Sequence, residues 1–157
     1  MKLHILFTGR TTGTVYPPLI QDYVQRLGHY LPTTLEEIPD LRNTRSLTEE
    51  QQKEREADLV LERLQPGDCL VLLDERGREM TSREFSVWME QRLQTVSRRL
   101  VLLIGGPYGF SPRIYQAAQQ QISLSRMTFT HQMVRLFLVE QLYRAFTIIR
   151  GETYHHD

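Results

Sequence analysis

Two uninterrupted apolar runs constrain this 157-residue chain more than any other feature. The first is Cys69 to Leu73 and the second is Leu100 to Ile104, and each has the length of a strand rather than of a helix. A strand without polar alternation is typical of a parallel sheet that is covered on both faces. The chain is therefore expected to form a layered α/β structure.

Further strand-like and helix-like segments alternate along the sequence. This order predicts an α/β fold with a mainly parallel sheet and helices on both faces, and the length fits one domain spanning residues 1–157. The polar segment Asp74 to Gly77 is expected to end the strand that begins at Cys69. The other predicted strands are Leu3 to Thr8, Leu35 to Ile38 and Ile122 to Leu124. The first predicted helix has Pro17 and Pro18 in its first turn, the next two are capped by Ser46 or Thr48 and by Thr81 or Ser82, another begins near Ser111, and the last runs from His131 to Ile148.

Charge and cysteine content limit the kinds of partner and compartment. Nineteen basic residues balance nineteen acidic ones, so binding to RNA would need a local basic patch. The charge-rich stretch EEQQKERE at 49–56 is interpreted as the solvated half of a helix. A single cysteine, Cys69, forms no intrachain disulfide, which suits a reducing cytoplasm. The sequence has neither a signal-peptide pattern nor an apolar stretch long enough for a membrane span.

The loops that follow the two apolar runs are the first places to look for a ligand site. In open α/β sheets ligands bind beyond the carboxyl ends of the strands, and these loops read LDERG and IGGPYG. Gly105 and Gly106 suit close approach of a ligand to the backbone, although a glycine pair after a strand is also an ordinary turn. The sequence has no P-loop or GxGxxG motif, no metal-ligand spacing among its histidines, and no GxSxG motif.

Four separated segments, taken in order, are far more specific than any one of them. They are the opening strand ending in Thr8-Gly9-Arg10, LDERG at 73–77, LLIGGPYGF at 102–110, and LSRMTFTHQMVRLFLVEQLYRAF at 124–146, followed by a terminal GETYHH. With these segments the chain resembles the RlmH family of SPOUT methyltransferases over essentially its whole length. It departs from the family pattern at Thr130, where a proline is usual, and at Arg10, where a lysine is usual.

This resemblance implies a SPOUT fold with a C-terminal trefoil knot that binds S-adenosyl-L-methionine. It also implies transfer of the methyl group to N3 of a pseudouridine in 23S ribosomal RNA, on the assembled ribosome, by a cytoplasmic homodimer that needs no metal. The residues expected to surround the methyl donor are Leu73, Gly105, Leu124, Ser125, Arg126, Met127, Thr128 and Phe129.

The resemblance further points to the end of the chain for catalysis. Arg144 is expected to stabilise the deprotonated acceptor, with Tyr154 and His155 helping to hold the base, and the tail is expected to complete the substrate site of a partner subunit. The alternative interpretation of Arg144 is a salt bridge on a helix surface. The basic patch for RNA is expected to gather Arg10, Arg135, Arg144, Arg150, His155 and His156.

Two other functions remain open at this point. A SPOUT methyltransferase acting on transfer RNA would share the donor site and differ in its acceptor. A ribosome-binding factor without catalytic activity would keep the fold but bind no methyl donor.

Overall fold

The computed structural model describes all 157 residues, and helices alternate with strands from end to end. The predicted order of elements is confirmed. The strands are β1 (Lys2–Thr8), β2 (Thr33–Ile38), β3 (Cys69–Glu79), β4 (Arg99–Ile104) and β5 (Gln120–Ser123), and the helices are α1 (Tyr16–Leu27), α2 (Glu49–Leu61), α3 (Ser82–Thr95), α4 (Pro112–Ala117) and α5 (His131–Ile149), with a short 3-10 turn at Thr44–Ser46.

The five strands form one sheet in the order β2-β1-β4-β3-β5, and every pairing is parallel. The prediction of a parallel sheet is confirmed. The two apolar runs lie side by side at its centre, with Leu72 opposite Leu103. Because all the strands run in one direction, their carboxyl ends meet at a single edge of the sheet.

Helices cover both faces, as the uninterrupted apolar runs predict. In β4, Leu100 and Leu102 pack beneath α1, α3 and α5 in a cluster of 20 buried residues. Val101 and Leu103 point the other way, into a cluster of 10 buried residues beneath α2 and α4. The two faces therefore differ twofold in the number of buried residues, and the larger one carries the long final helix.

The strand that begins at Cys69 does not end where the sequence suggested. β3 continues through the polar segment to Glu79, with a shift in its pairing to β5 between Leu73 and Arg78. Gly77 permits this pairing, because a Cβ atom there would lie 2.6 Å from the backbone of Ile122. The prediction that Asp74 to Gly77 ends the strand is wrong, since backbone pairing to β5 outweighs the polar composition.

Threonines begin three of the helices. Thr48 and Thr81 each form a capping box with the glutamine or glutamate three residues later. Thr130, at the position where a proline is usual, accepts a hydrogen bond from the backbone N–H of Met133 at 3.3 Å. Threonine thus begins α5 by capping, so this departure from the family pattern leaves the helix start intact.

None of the helices combines the length and the apolar character that crossing a bilayer requires. The trefoil knot and the single-domain organisation remain predictions.

Candidate functional site

A cavity of about 540 Å³ opens at the edge of the sheet, beside the carboxyl ends of β4 and β5 and the middle of β3, where its apolar part ends. Its walls are residues 73–76 of β3, the loops that follow β4 and β5, Tyr115 of α4, the first turn of α5, and one side chain from α2. The cavity therefore lies at the edge of the sheet where the sequence predicted a ligand site. The three wall segments fall within residues 73–76, 104–110 and 123–129.

Most of the side chains predicted to surround a methyl donor meet in this cavity. The predicted residues that line the cavity are Leu73, Gly105, Leu124, Ser125, Met127, Thr128 and Phe129. Arg126 does not line it, because its side chain is 84% exposed and pairs with Glu79 at 3.1 Å. The structure thus brings the predicted residues together apart from Arg126, while their role in binding stays a prediction.

The glycine loop after β4 is shaped mainly by its packing. A Cβ atom on Gly105 would lie 2.8 Å from the Phe110 ring, and one on Gly106 would overlap the carboxylate of Glu56. Only Gly109, at φ +82°, needs glycine for its backbone conformation. The amides of Gly105 and Gly106 donate to no backbone carbonyl, so this loop keeps polar donors free at the cavity wall.

Two charged residues of α2 belong to this region, although the sequence was interpreted as a solvated helix there. Lys53 lines the cavity with a side chain that is 18% exposed. Glu56 lies behind the glycine loop and is 9% exposed, and its Oε1 atom has no hydrogen-bond partner. Lys53 lies four residues before the buried Ala57, and Glu56 lies four residues before the buried Val60. This helical spacing is the signal in the sequence that identifies both residues as facing inward.

Burial shifts the titration of several groups around the cavity. Desolvation, with a smaller contribution from Asp40, raises the pKa of Glu56 to about 7. Desolvation and the nearby Arg135 lower the pKa of His131, which leaves this cavity-lining imidazole neutral at pH 7. Burial opposes ionisation of Asp74, but hydrogen bonds from Tyr115 and Arg76 outweigh it and lower the pKa of that carboxyl.

The three residues predicted to be catalytic form a second cluster, on α5 and the tail. Nη1 of Arg144 lies 3.0 Å from Nδ1 of His155, and its guanidinium carbon lies 4.9 Å from the centre of the Tyr154 ring. Arg144 Nε also donates to Glu140 at 3.0 Å, and the Tyr154 hydroxyl donates to Glu140 at 3.2 Å. The Tyr23 hydroxyl lies 3.2 Å from that of Tyr154. We call Tyr23, Glu140, Arg144, Tyr154 and His155 the tail cluster.

The tail cluster and the cavity share no residue. Arg144 also forms the helix-surface ion pair of the alternative interpretation, because Glu140 precedes it by one turn of α5. The catalytic roles of Arg144, Tyr154 and His155 therefore stay predictions. Within one chain, these residues are brought to each other and not to the cavity wall.

Arg135 is not part of a surface patch. Its side chain is 2% exposed, stacks 4.7 Å from the centre of the Phe7 ring, and donates to the Thr8 carbonyl at 3.0 Å and to Thr11 Oγ1 at 2.9 Å. The prediction that Arg135 contributes to a basic surface is wrong, because its charge is used to hold the loop after β1 against α5. Arg135 lies one turn before the buried Leu138 and Val139, and this helical spacing is the signal in the sequence that could have shown its burial.

Comparison with known proteins defines the class of this fold and cavity. A family model described as "Predicted SPOUT methyltransferase" matches residues 1–155, and the chain belongs to this family. The Ribosomal RNA large subunit methyltransferase H of Bacteroides fragilis is 54% identical over 157 residues, which are 100% of both chains. Proteins of the same name are 55% identical over 157 residues in Phocaeicola vulgatus, again 100% of both chains, and 49% identical over 156 residues in Christiangramia forsetii, 99% of each. The resemblance predicted from the sequence is confirmed.

Proposed function

We propose that this protein methylates N3 of a pseudouridine in 23S ribosomal RNA, on the assembled ribosome, with S-adenosyl-L-methionine as methyl donor. The observation that carries the proposal is the full-length similarity to proteins named as large-subunit ribosomal RNA methyltransferases. The cavity at the strand ends supports it. Action on ribosomes places the protein in the cytoplasm.

The cavity fits the proposed donor in size and in chemistry. Its volume of about 540 Å³ lies within the range of roughly 300–1,000 Å³ that is usual for small-molecule sites. Leu73, Met127 and Phe129 offer apolar contact for an adenine ring, while the free amides of Gly105 and Gly106 offer hydrogen bonds. S-adenosyl-L-methionine supplies a methyl group already activated on a sulfonium, so the transfer calls for alignment rather than for a metal.

Arg144 has the chemistry to activate the acceptor. N3 of pseudouridine is an imide nitrogen that becomes a good nucleophile when it loses its proton, and a nearby cation favours that loss. Lowering the acceptor pKa by one unit takes about 1.4 kcal/mol of preferential stabilisation of the anion, which a positioned arginine can provide. Glu140 accepts hydrogen bonds from both Arg144 and Tyr154, and so fixes the cation and the phenol next to each other.

A homodimer is part of the proposal, because the cavity and the tail cluster are separate within one chain. Apolar side chains are exposed near the start of α1 and on α5: Val15 is 64% exposed, Leu19 45%, and Met133 and Phe137 38% each. Exposed apolar side chains are suited to an interface, and a two-fold dimer is the commonest closed assembly. Such a dimer would let the tail cluster of one subunit complete the substrate site beside the donor cavity of the other.

Sedimentation of the purified protein tests the dimer. The expected result is a single species of twice the chain mass at micromolar concentration, and a monomer with full methyl transfer would contradict it. Mixing Arg144→Ala subunits with subunits disabled in the donor cavity extends the test. If the site is completed across the dimer, the mixture regains part of the activity. If each chain completes its own site, the mixture stays inactive.

Methylation of purified ribosomes tests the proposed reaction. Labelled methyl groups from S-adenosyl-L-methionine are expected in fragments of 23S RNA, and mass analysis is expected to place them on a pseudouridine. Label in transfer RNA instead would overturn the choice of acceptor. Titration calorimetry that showed no binding of the donor would leave a ribosome-binding factor without catalytic activity.

A further inference from the structure

Lys53 is the one side chain that α2 contributes to the cavity wall. Its buried neighbours on the same helix face, Glu56 and Ala57, show that this face of α2 is turned towards the sheet. The Lys53 side chain lines the cavity and is itself only 18% exposed, so most of its surface is covered by protein. This position differs from that of an ordinary solvated lysine.

Among the basic side chains that line the cavity, Lys53 is the one whose ion-pair partner a ligand can replace. His131 is neutral at pH 7 because burial lowers its pKa. Arg76 is 76% exposed and is held by Asp74 and by the Tyr115 hydroxyl, to which it donates at 2.9 Å. Lys53 pairs only with Glu50, at 2.9 Å and one turn away on the same helix, and Glu50 is 74% exposed.

An ion pair between a lysine and an exposed glutamate in neighbouring helical turns is weak, because water screens it and both side chains lose freedom. Lys53 can therefore exchange Glu50 for an anionic group of a ligand at little cost. A carboxylate that enters the cavity would meet a partly desolvated ammonium, where a charge-assisted hydrogen bond is stronger than at the open surface.

We propose that Lys53 binds the α-carboxylate of the methyl donor and so selects a donor that retains its amino-acid end. The inference rests on the proposed use of S-adenosyl-L-methionine. It adds a binding residue from α2 to a cavity otherwise formed by residues of β3, the loops after β4 and β5, Tyr115 of α4 and the start of α5.

The test compares two ligands that differ only in this group, S-adenosyl-L-methionine and its decarboxylated form. Titration calorimetry gives the Kd of each for the wild-type protein and for Lys53→Met, Lys53→Arg and Arg55→Met. Arg55 is the matched control, because it is an exposed cation two residues further along α2 and does not line the cavity. Lys53→Met keeps the apolar stem, so the local fold of the helix is retained.

The wild-type protein is expected to prefer the carboxylated ligand. Lys53→Met is expected to weaken that ligand about tenfold while the decarboxylated ligand changes less than about twofold. Lys53→Arg restores most of the difference, and Arg55→Met leaves both ligands unchanged.

Equal weakening of both ligands by Lys53→Met would mean a role in cavity shape, and no weakening would mean no role; either result overturns the inference while the proposed donor stands. Failure of the wild-type protein to bind either ligand overturns the proposed donor and this inference with it.

Discussion

The cavity and the tail cluster are built in opposite ways. The cavity is held by backbone, because its walls follow three adjacent parallel strands and its glycine loop is fixed by packing against Phe110 and Glu56. The tail cluster is held by side chains, because Glu140 and Arg144 of α5 bond to Tyr154 and His155 of the tail. Substitutions should therefore affect the two regions through different steps of the reaction.

The difference separates binding of the donor from activation of the acceptor. A backbone-built cavity is complete in each chain and should bind its ligand whether or not a partner is present. A side-chain cluster that does not line the cavity needs a second surface before it can act on the donor. The predictions below test this separation, beginning with the largest effect.

Arg144→Ala is expected to lower the rate of methyl transfer by about 100-fold, the usual cost of losing one donor that stabilises developing negative charge. The Kd of S-adenosyl-L-methionine should stay within about twofold, because Arg144 does not line the cavity. Single-turnover kinetics on ribosomes and calorimetry provide the two readouts. Unchanged turnover with donor affinity intact would remove Arg144 from the mechanism.

Gly105→Ala is expected to act on the other region. Its new methyl group would lie 2.8 Å from the Phe110 ring, and overpacking of this kind costs about 1–3 kcal/mol. The Kd of the donor should rise roughly tenfold if that cost falls on the cavity. Gly28→Ala is the control, since Gly28 follows α1 at an ordinary φ of −59° and does not line the cavity. Equal donor affinities for the two variants would argue against a packed loop.

Glu56→Gln tests the buried carboxyl of the cavity side. The folded-state pKa of about 7 lies above the ordinary value of 4.5, so the folded protein holds this proton more tightly than the unfolded chain. The stability that Glu56 contributes is present below pH 4.5 and is lost as pH rises through about 7. Glutamine cannot ionise, so the variant should gain about 2–3 kcal/mol over the wild type at pH 8 relative to pH 5.

Urea unfolding at the two pH values measures this gain. Glu54→Gln is the control, because Glu54 lies on the same helix and pairs with Arg113 at 2.7 Å near the surface. Its stability difference from the wild type should change little between pH 5 and pH 8. A Glu56→Gln profile parallel to that of the wild type would show that the carboxyl is solvated.

Arg126→Ala gives the smallest expected effect and tests whether Arg126 binds the donor, as the resemblance implies, or stays outside the cavity. The resemblance places Arg126 among the donor-binding residues, whereas its side chain is 84% exposed and pairs with Glu79 outside the cavity. We expect the donor Kd to change by less than about twofold, as is usual for an exposed ion pair. A tenfold loss in calorimetry would show that Arg126 turns inward when the ligand binds.

Local signals in the sequence predicted most of the fold. The uninterrupted runs predicted that β3 and β4 are buried on both faces, and candidate caps at Ser46 or Thr48 and at Thr81 or Ser82 included the threonines that begin α2 and α3. The continuation of β3 past Asp74 was missed, because it depends on pairing with β5, 40 to 50 residues later. Such pairing leaves no mark on the composition of a short polar segment.

The candidate site was predicted in part. Residues on the strand-end loops were placed correctly at one cavity, since the edge of a parallel sheet follows from strand order. Lys53 and Glu56 were missed, because a run of charges was interpreted by its average composition and not residue by residue around the helix. The separation of Arg144 from the cavity depends on how α5 packs, which sequence periodicity does not specify.

The buried guanidinium of Arg135 fixes the loop after β1 in place. Through the carbonyl of Thr8 and the hydroxyl of Thr11, it couples that loop to the helix whose first turn supplies His131 and Val134 to the cavity wall. Removing this guanidinium would therefore free the loop after β1 from the helix that also forms part of the cavity wall.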